Sequence, residues 1–107
     1  ALAAAKYTNA TVVLKGAGTI VAQSEHPCIV NLTGTPGMAT GGGGDVLAGL
    51  IVGLIGQGLP PYDAARAGVY IHGRAGDQVA MRTSKAGLSA TDLIEEIPFV
   101  FRDVALR

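Results

Sequence analysis

Thr33-Gly-Thr-Pro-Gly-Met-Ala-Thr-Gly-Gly-Gly-Gly-Asp-Val-Leu-Ala-Gly49 is the stretch on which the fold of this chain turns. Residues 33 to 44 hold too much glycine for a helix or a strand and no run of charge, so they read as a long ligand-holding loop. From Asp45 the pattern changes. Val46, Leu47, Leu50, Ile51, Leu54 and Ile55 recur at spacings of three and four, which predicts a helix ending at Gln57-Gly58 ahead of Pro60-Pro61. Glycines that open directly into a helix leave backbone N–H groups unshielded at the positive end of its dipole, a geometry that suits phosphate. The candidate phosphate-cradling residues are therefore Gly41, Gly42, Gly43 and Gly44, with the carboxylate of Asp45 beside them.

Upstream, Thr11-Val-Val-Leu-Lys15, Thr19-Ile-Val-Ala-Gln23 and Cys28-Ile-Val-Asn31 are strand-like, separated by Gly16-Ala-Gly18 and by the polar turn Ser24-Glu-His-Pro27. The first is almost continuously apolar, as expected of a strand covered on both faces, and the second and third suit a hairpin. Residues 1 to 9 are alanine-rich and favour a helix. Downstream, Pro61 and Asp63 open a helix with a small-residue face, Ala64, Ala65, Ala67, Gly68, Ile71 and Ala75, running to about Met81. After a polar turn from Arg82 to Gly87, Ser89 with Asp92 resembles an N-cap and its answering carboxylate. A helix through Leu93, Ile94 and Ile97 follows, with a kink expected at Pro98. Gly49, Gly53 and Gly56 each cost their helix about 1 kcal/mol relative to alanine, so close packing is expected to compensate.

Three strands, a glycine loop and three helices make an α/β layer architecture. The chain has 107 residues, 49 % hydrophobic and 15 % charged, against about a quarter charged in an ordinary domain. With a start inside a helix and few strands for three apolar helices, residues 1–107 read as one partial domain, the C-terminal half of a larger one. Eight basic and eight acidic residues cancel and no basic stripe forms, so no nucleic acid and no membrane surface is indicated, and a small molecule is the expected partner. The longest apolar stretch, Val46 to Gly56, is too short to span a bilayer, and the opening residues do not resemble a secretion signal, so a cytoplasmic location is expected. The single cysteine, Cys28, lies in an apolar run and is expected to be a small buried hydrophobe.

The residues alone leave two readings of Asp45 level: a helix N-cap, or a base placed beside a phosphate. The Walker-type loop is excluded because Asp45-Val46 stands where Lys and Ser or Thr belong, and the dinucleotide fingerprint lacks its surrounding strand, turn and helix. Lys15 ends a strand next to a flexible turn and suits either a solvated lysine or a nucleotide contact. His72 has no second ligand at metal-binding spacing and reads as packed or hydrogen-bonded, Asp77 as a helix-surface or inter-helix partner. No metal-ligating set is assigned.

Val13-Leu-Lys-Gly-Ala-Gly-Thr19, Asn31-Leu-Thr-Gly-Thr-Pro-Gly-Met-Ala-Thr-Gly-Gly-Gly-Gly-Asp-Val-Leu-Ala-Gly49, His72-Gly-Arg-Ala-Gly-Asp77 and Gly87-Leu-Ser-Ala-Thr-Asp92 together resemble the ADP-dependent NAD(P)H-hydrate dehydratases of the ribokinase-like superfamily, over essentially the whole chain. The resemblance implies the C-terminal portion of a ribokinase-like fold. It implies a lyase of cofactor repair: ADP, or ATP in eukaryotic relatives, phosphorylates the ring hydroxyl of hydrated NADH or NADPH, and loss of phosphate restores the cofactor. By the same analogy Asp45 is the catalytic base and touches substrate. Lys15, Gly16, Ala17, Gly18, Thr19 and Gly44 contact the nucleotide, and Mg2+ accompanies the phosphates. A homo-oligomer, or a missing N-terminal half, is implied as partner. Gly43 departs from the family, which usually has Thr or Ser there; one hydroxyl hydrogen bond, worth about 0.5 to 1.5 kcal/mol, is lost. Two other readings stand beside this one: a vitamin-precursor or sugar kinase of the same superfamily, and a truncated, non-catalytic nucleotide-binding module.

Overall fold

The computed structural model describes residues 10–15, 18–34, 43–83 and 89–105. The helix expected over residues 1 to 9 lies outside them. Three short strands, β1 (Val12–Leu14), β2 (Thr19–Ala22) and β3 (Ile29–Asn31), form an antiparallel sheet in that order. Val13 pairs with Val21, and Val21 with Ile29, so those three share one face. The expected β2–β3 hairpin is present: its turn places Glu25 at φ 64, and the His26 N–H donates to Gln23 O at 3.1 Å.

Three helices follow: α1 (Gly43–Gly56), α2 (Pro61–Arg82) and α3 (Ala90–Ala105). α1 begins two residues ahead of Asp45 and ends at a Schellman turn. There Gly58 has φ 107, its N–H reaches Ile55 O at 2.9 Å, and the Leu59 N–H reaches Leu54 O at 3.2 Å. Pro61 starts α2, where a missing N–H removes nothing the helix needs, and Thr83 closes it by donating from N–H and Oγ1 to Val79 O, each at 2.9 Å. α3 opens on a capping box: the Ser89 N–H donates to Asp92 Oδ2 at 2.9 Å, and the Asp92 N–H to Ser89 Oγ at 3.2 Å. α3 is assigned as one helix through Pro98.

α2 is the central element. One side packs Tyr62, Ala65 and Val69 against Val21, Val13 and Ile29 of the sheet and Leu47 of α1. The other packs Ile71, Ala75 and Val79 against Leu93 and Val100 of α3. Leu93 and Val100 are almost fully buried, which contributes about 1.5–3 kcal/mol each. On α3 the buried face runs Leu93, Glu96, Val100, and Ile94 points outward. The buried Glu96 carboxylate meets Arg82 at 2.6 Å.

Several expectations are corrected. β1 is not covered on both faces: the row Leu14–Ile20–Val30 lies opposite α2, with Leu14 51 % and Val30 56 % exposed. Cys28 is exposed, because strand alternation places it on the side of Val30 and not of the buried-facing Ile29. A Cβ added at Gly49, Gly53 or Gly56 would meet nothing within 4 Å among the described residues. The close approach lies on α2 instead, where a Cβ at Gly68 would stand 2.6 Å from Ile51 Cγ1.

Candidate functional site

The strand β1 ends at Leu14, and Lys15 extends from it to the N-terminus of α1, where its Nζ lies 3.3 Å from the point a Cβ on Gly44 would occupy. Two candidates distant in sequence thus meet: an ammonium and a glycine whose missing side chain lets it approach. Asp45 follows in the first turn of α1; Lys15, Gly44 and Asp45 are all exposed. An ammonium, the backbone N–H groups of a helix's first turn and a carboxylate at one helix end can hold an anionic phosphoryl group and accept a proton beside it.

Thr19 opens β2 and pairs with Asn31 of β3, and Gly18 lies against β3, where an added Cβ would be 3.1 Å from Val30 Cγ1. Gly16, Ala17, Gly41 and Gly42 lie outside the described residues. Gly43 is the first residue of α1.

Sequence reasoning missed how the glycine loop is entered. Asn31 Nδ2 donates to Thr33 Oγ1 at 2.8 Å and to Val69 O at 3.4 Å, and Thr33 Oγ1 donates to Tyr70 O at 3.4 Å. The Gly34 N–H donates to both oxygens of Asp77, at 3.2 and 3.1 Å. Gly34 holds φ 111, which favours glycine. Asp77 is therefore a partner of the Gly34 backbone, and not a helix-surface or inter-helix partner. Asn31, Thr33, Gly34 and Asp77 sit in two motifs recognisable in the sequence, Val69 and Tyr70 in neither, and their pairing arises only from the packing of β3 on α2. His72 is packed as expected, 7 % exposed.

Two clefts lie elsewhere. One of about 340 Å³ is lined by Ala10, Thr11, Gln23, Ile51, Ile55 and Pro61. The other, about 380 Å³, lies between β3 and α2 and includes Asn31, Arg66 and Tyr70. Neither is lined by Lys15, Gly44 or Asp45. Among the described residues no group of three or more His, Cys, Asp and Glu comes together as a metal cage. No described helix is long and apolar enough to cross a membrane.

A sequence profile of the NAD(P)H-hydrate dehydratase family matches residues 1–99. The chain is 47 % identical over 104 residues to the bifunctional NAD(P)H-hydrate repair enzyme Nnr of Moorella thermoacetica, covering 94 % of this chain and 20 % of that protein. It is 47 % identical over 89 residues to the ADP-dependent (S)-NAD(P)H-hydrate dehydratase of Neisseria meningitidis serogroup B, covering 83 % of this chain and 29 % of that one. The fold matches the crystal structure of the ADP/ATP-dependent NAD(P)H-hydrate dehydratase of Bacillus subtilis co-crystallised with ATP/Mg2+ (TM-score 0.84, 32 % identity), over 95 % of this chain and 38 % of that one. The chain thus spans a fifth of the bifunctional relative and under two-fifths of the solved structure. With a profile match over nearly its whole length, on a fold that brings Lys15 to Gly44 beside Asp45, the chain belongs to the NAD(P)H-hydrate dehydratase family.

Proposed function

We propose that residues 1–107 form one partial ribokinase-like domain supplying the phosphoryl-transfer turn of an ADP-dependent NAD(P)H-hydrate dehydratase. The observation that carries this reading is the approach of Lys15 Nζ to Gly44 at the N-terminus of the helix that bears Asp45. Asp45 accepts the proton of the substrate's ring hydroxyl. The hydroxyl oxygen takes the terminal phosphoryl group of ADP, releasing AMP, and departure of phosphate together with a proton from the neighbouring ring carbon restores the double bond of the reduced nicotinamide. N–H groups of Gly43 and Gly44 stabilise charge on the transferred group, where such donors are most effective. Lys15, Gly18 and Thr19 line the nucleotide side, together with Gly16 and Ala17, and Gly41 and Gly42 extend the phosphate cradle. ATP is the alternative donor. Mg2+ travels with the phosphates; the described residues build no cage for it, and no step here is routed through it.

The test is recovery of NADH absorbance from hydrated NADH with ADP, in the intact protein. Asp45→Asn is expected to lower kcat by about 10²- to 10⁴-fold while ADP affinity stays within about threefold. Phosphorylation of hydroxymethylpyrimidine or a sugar in preference to the hydrate would overturn the dehydratase reading in favour of a kinase. Sedimentation of the same protein decides between monomer and the homo-oligomer we infer, and fractionation tests the cytoplasmic location.

A further inference from the structure

We propose that Asp77 is a positioning residue for the glycine turn, acting through Gly34 at the entry of the loop. The inference rests on the reading of Gly44 and Asp45 as the phosphoryl-transfer site. Val69, Gly73 and Asp77 recur every four residues along one face of α2, and each meets the segment that leaves β3. Val69 offers its carbonyl to Asn31 Nδ2, Gly73 leaves the space that Thr33 fills, and Asp77 spends both carboxylate oxygens on the single Gly34 N–H. That last contact is a three-centre bond to a carboxylate.

The same helix fixes the far end of the loop. Gly68 lets Ile51 of α1 lie against the α2 backbone, where a Cβ would stand 2.6 Å from Ile51 Cγ1. Entry and exit are both referenced to the stretch of α2 from Gly68 to Asp77, so contacts within the chain tie the place of Gly44 and Asp45 to that of Gly34. Displacing the entry shifts backbone donors that act on the transferred phosphoryl group. Such donors act mainly in the transition state, so the effect falls on kcat more than on nucleotide affinity.

The experiment uses the intact protein labelled with ¹⁵N-glycine, as wild type, Asp77→Ala and Asp77→Asn. The readouts are the amide signals of Gly34 and Gly44, the affinity for ADP with Mg2+, and kcat and KM with hydrated NADH. Asp77→Ala is expected to move both signals and to lower kcat by about 10- to 100-fold, with KM for ADP changed less than about threefold. Asp77→Asn, which keeps one acceptor oxygen, is expected to recover most of kcat. A Gly44 signal that stays in place, or a kcat for Asp77→Ala within about twofold of wild type, overturns the proposal. Should Asp77→Ala not fold, Asp77→Asn carries the test: smaller displacements of Gly44 and kcat in the same sense support it, and wild-type values of both overturn it. A wild-type protein that binds ADP without restoring NADH removes the dehydratase reading alone, and the Gly44 signal then decides the positioning role.

Discussion

Thr33 occupies the place where Gly73 would carry a side chain: a Cβ built there would stand 1.9 Å from Thr33 Oγ1, 2.7 Å from its Cβ and 2.8 Å from its carbonyl carbon. Because backbone is among the atoms met, no rotamer change relieves the clash. Gly73→Ala is expected to destabilise the protein by about 1–3 kcal/mol, read as a lower urea midpoint, and to displace the entry of the glycine loop.

Gly53 is the contrasting case, with nothing within 4 Å of an added Cβ among the described residues. Gly53→Ala removes a helix-interior glycine without creating a clash. The expected outcome is a gain of up to about 1 kcal/mol and a higher melting temperature.

Gly44→Ala sets a methyl group 3.3 Å from Lys15 Nζ, a tight contact with the mobile tip of a long side chain. Stability should change by less than about 1 kcal/mol, because the lysine can swing away. ADP affinity is expected to fall about 3- to 10-fold, since the methyl also obstructs the phosphate approach. Lys15→Met should weaken ADP by about 10- to 150-fold, as expected for a charged hydrogen bond worth about 1.5–3 kcal/mol. Titration calorimetry measures both, and unchanged affinity in both variants would separate Lys15 and Gly44 from nucleotide binding.

Arg82 and Glu96 form an unequal pair: the glutamate side chain is 5 % exposed and the arginine 60 %. Removing the arginine leaves a buried carboxylate without its cation, but water reaches the arginine's place, which moderates the loss. Arg82→Ala is expected to cost about 1–3 kcal/mol, and the double change Arg82→Met with Glu96→Leu to recover much of it. A double-mutant cycle in urea gives the coupling directly.

Local signals in the sequence carried the elements well. Pro61, Gly58 and the Ser89–Asp92 pair mark helix ends through chemistry that needs no tertiary context, and each is found in the expected role. Asp45 and Lys15 were legible as candidates for the same reason: a carboxylate after glycines at a helix start, and a lysine at a strand end. What the sequence could not show was which glycines are tight. Gly53 and Gly73 have the same composition-level signature, and only the packing of β3 on α2 distinguishes a glycine facing open space from one filled by Thr33. The role of Asp77 was hidden likewise, since its partner is a backbone N–H distant in the chain. Cys28 was misjudged because its apolar neighbours say nothing about which side of the sheet it takes.

The anchoring of both loop ends on α2 makes that helix a ruler. One residue inserted between Gly68 and Gly73 would turn everything beyond it by about 100° and advance it by about 1.5 Å, carrying Gly73 away from Thr33 and Asp77 away from Gly34. Along this stretch no residue is exposed, so exchanges of residue type have little latitude, and a change in the count of residues has none. A deletion or insertion of one position there should silence the site while leaving an intact helix.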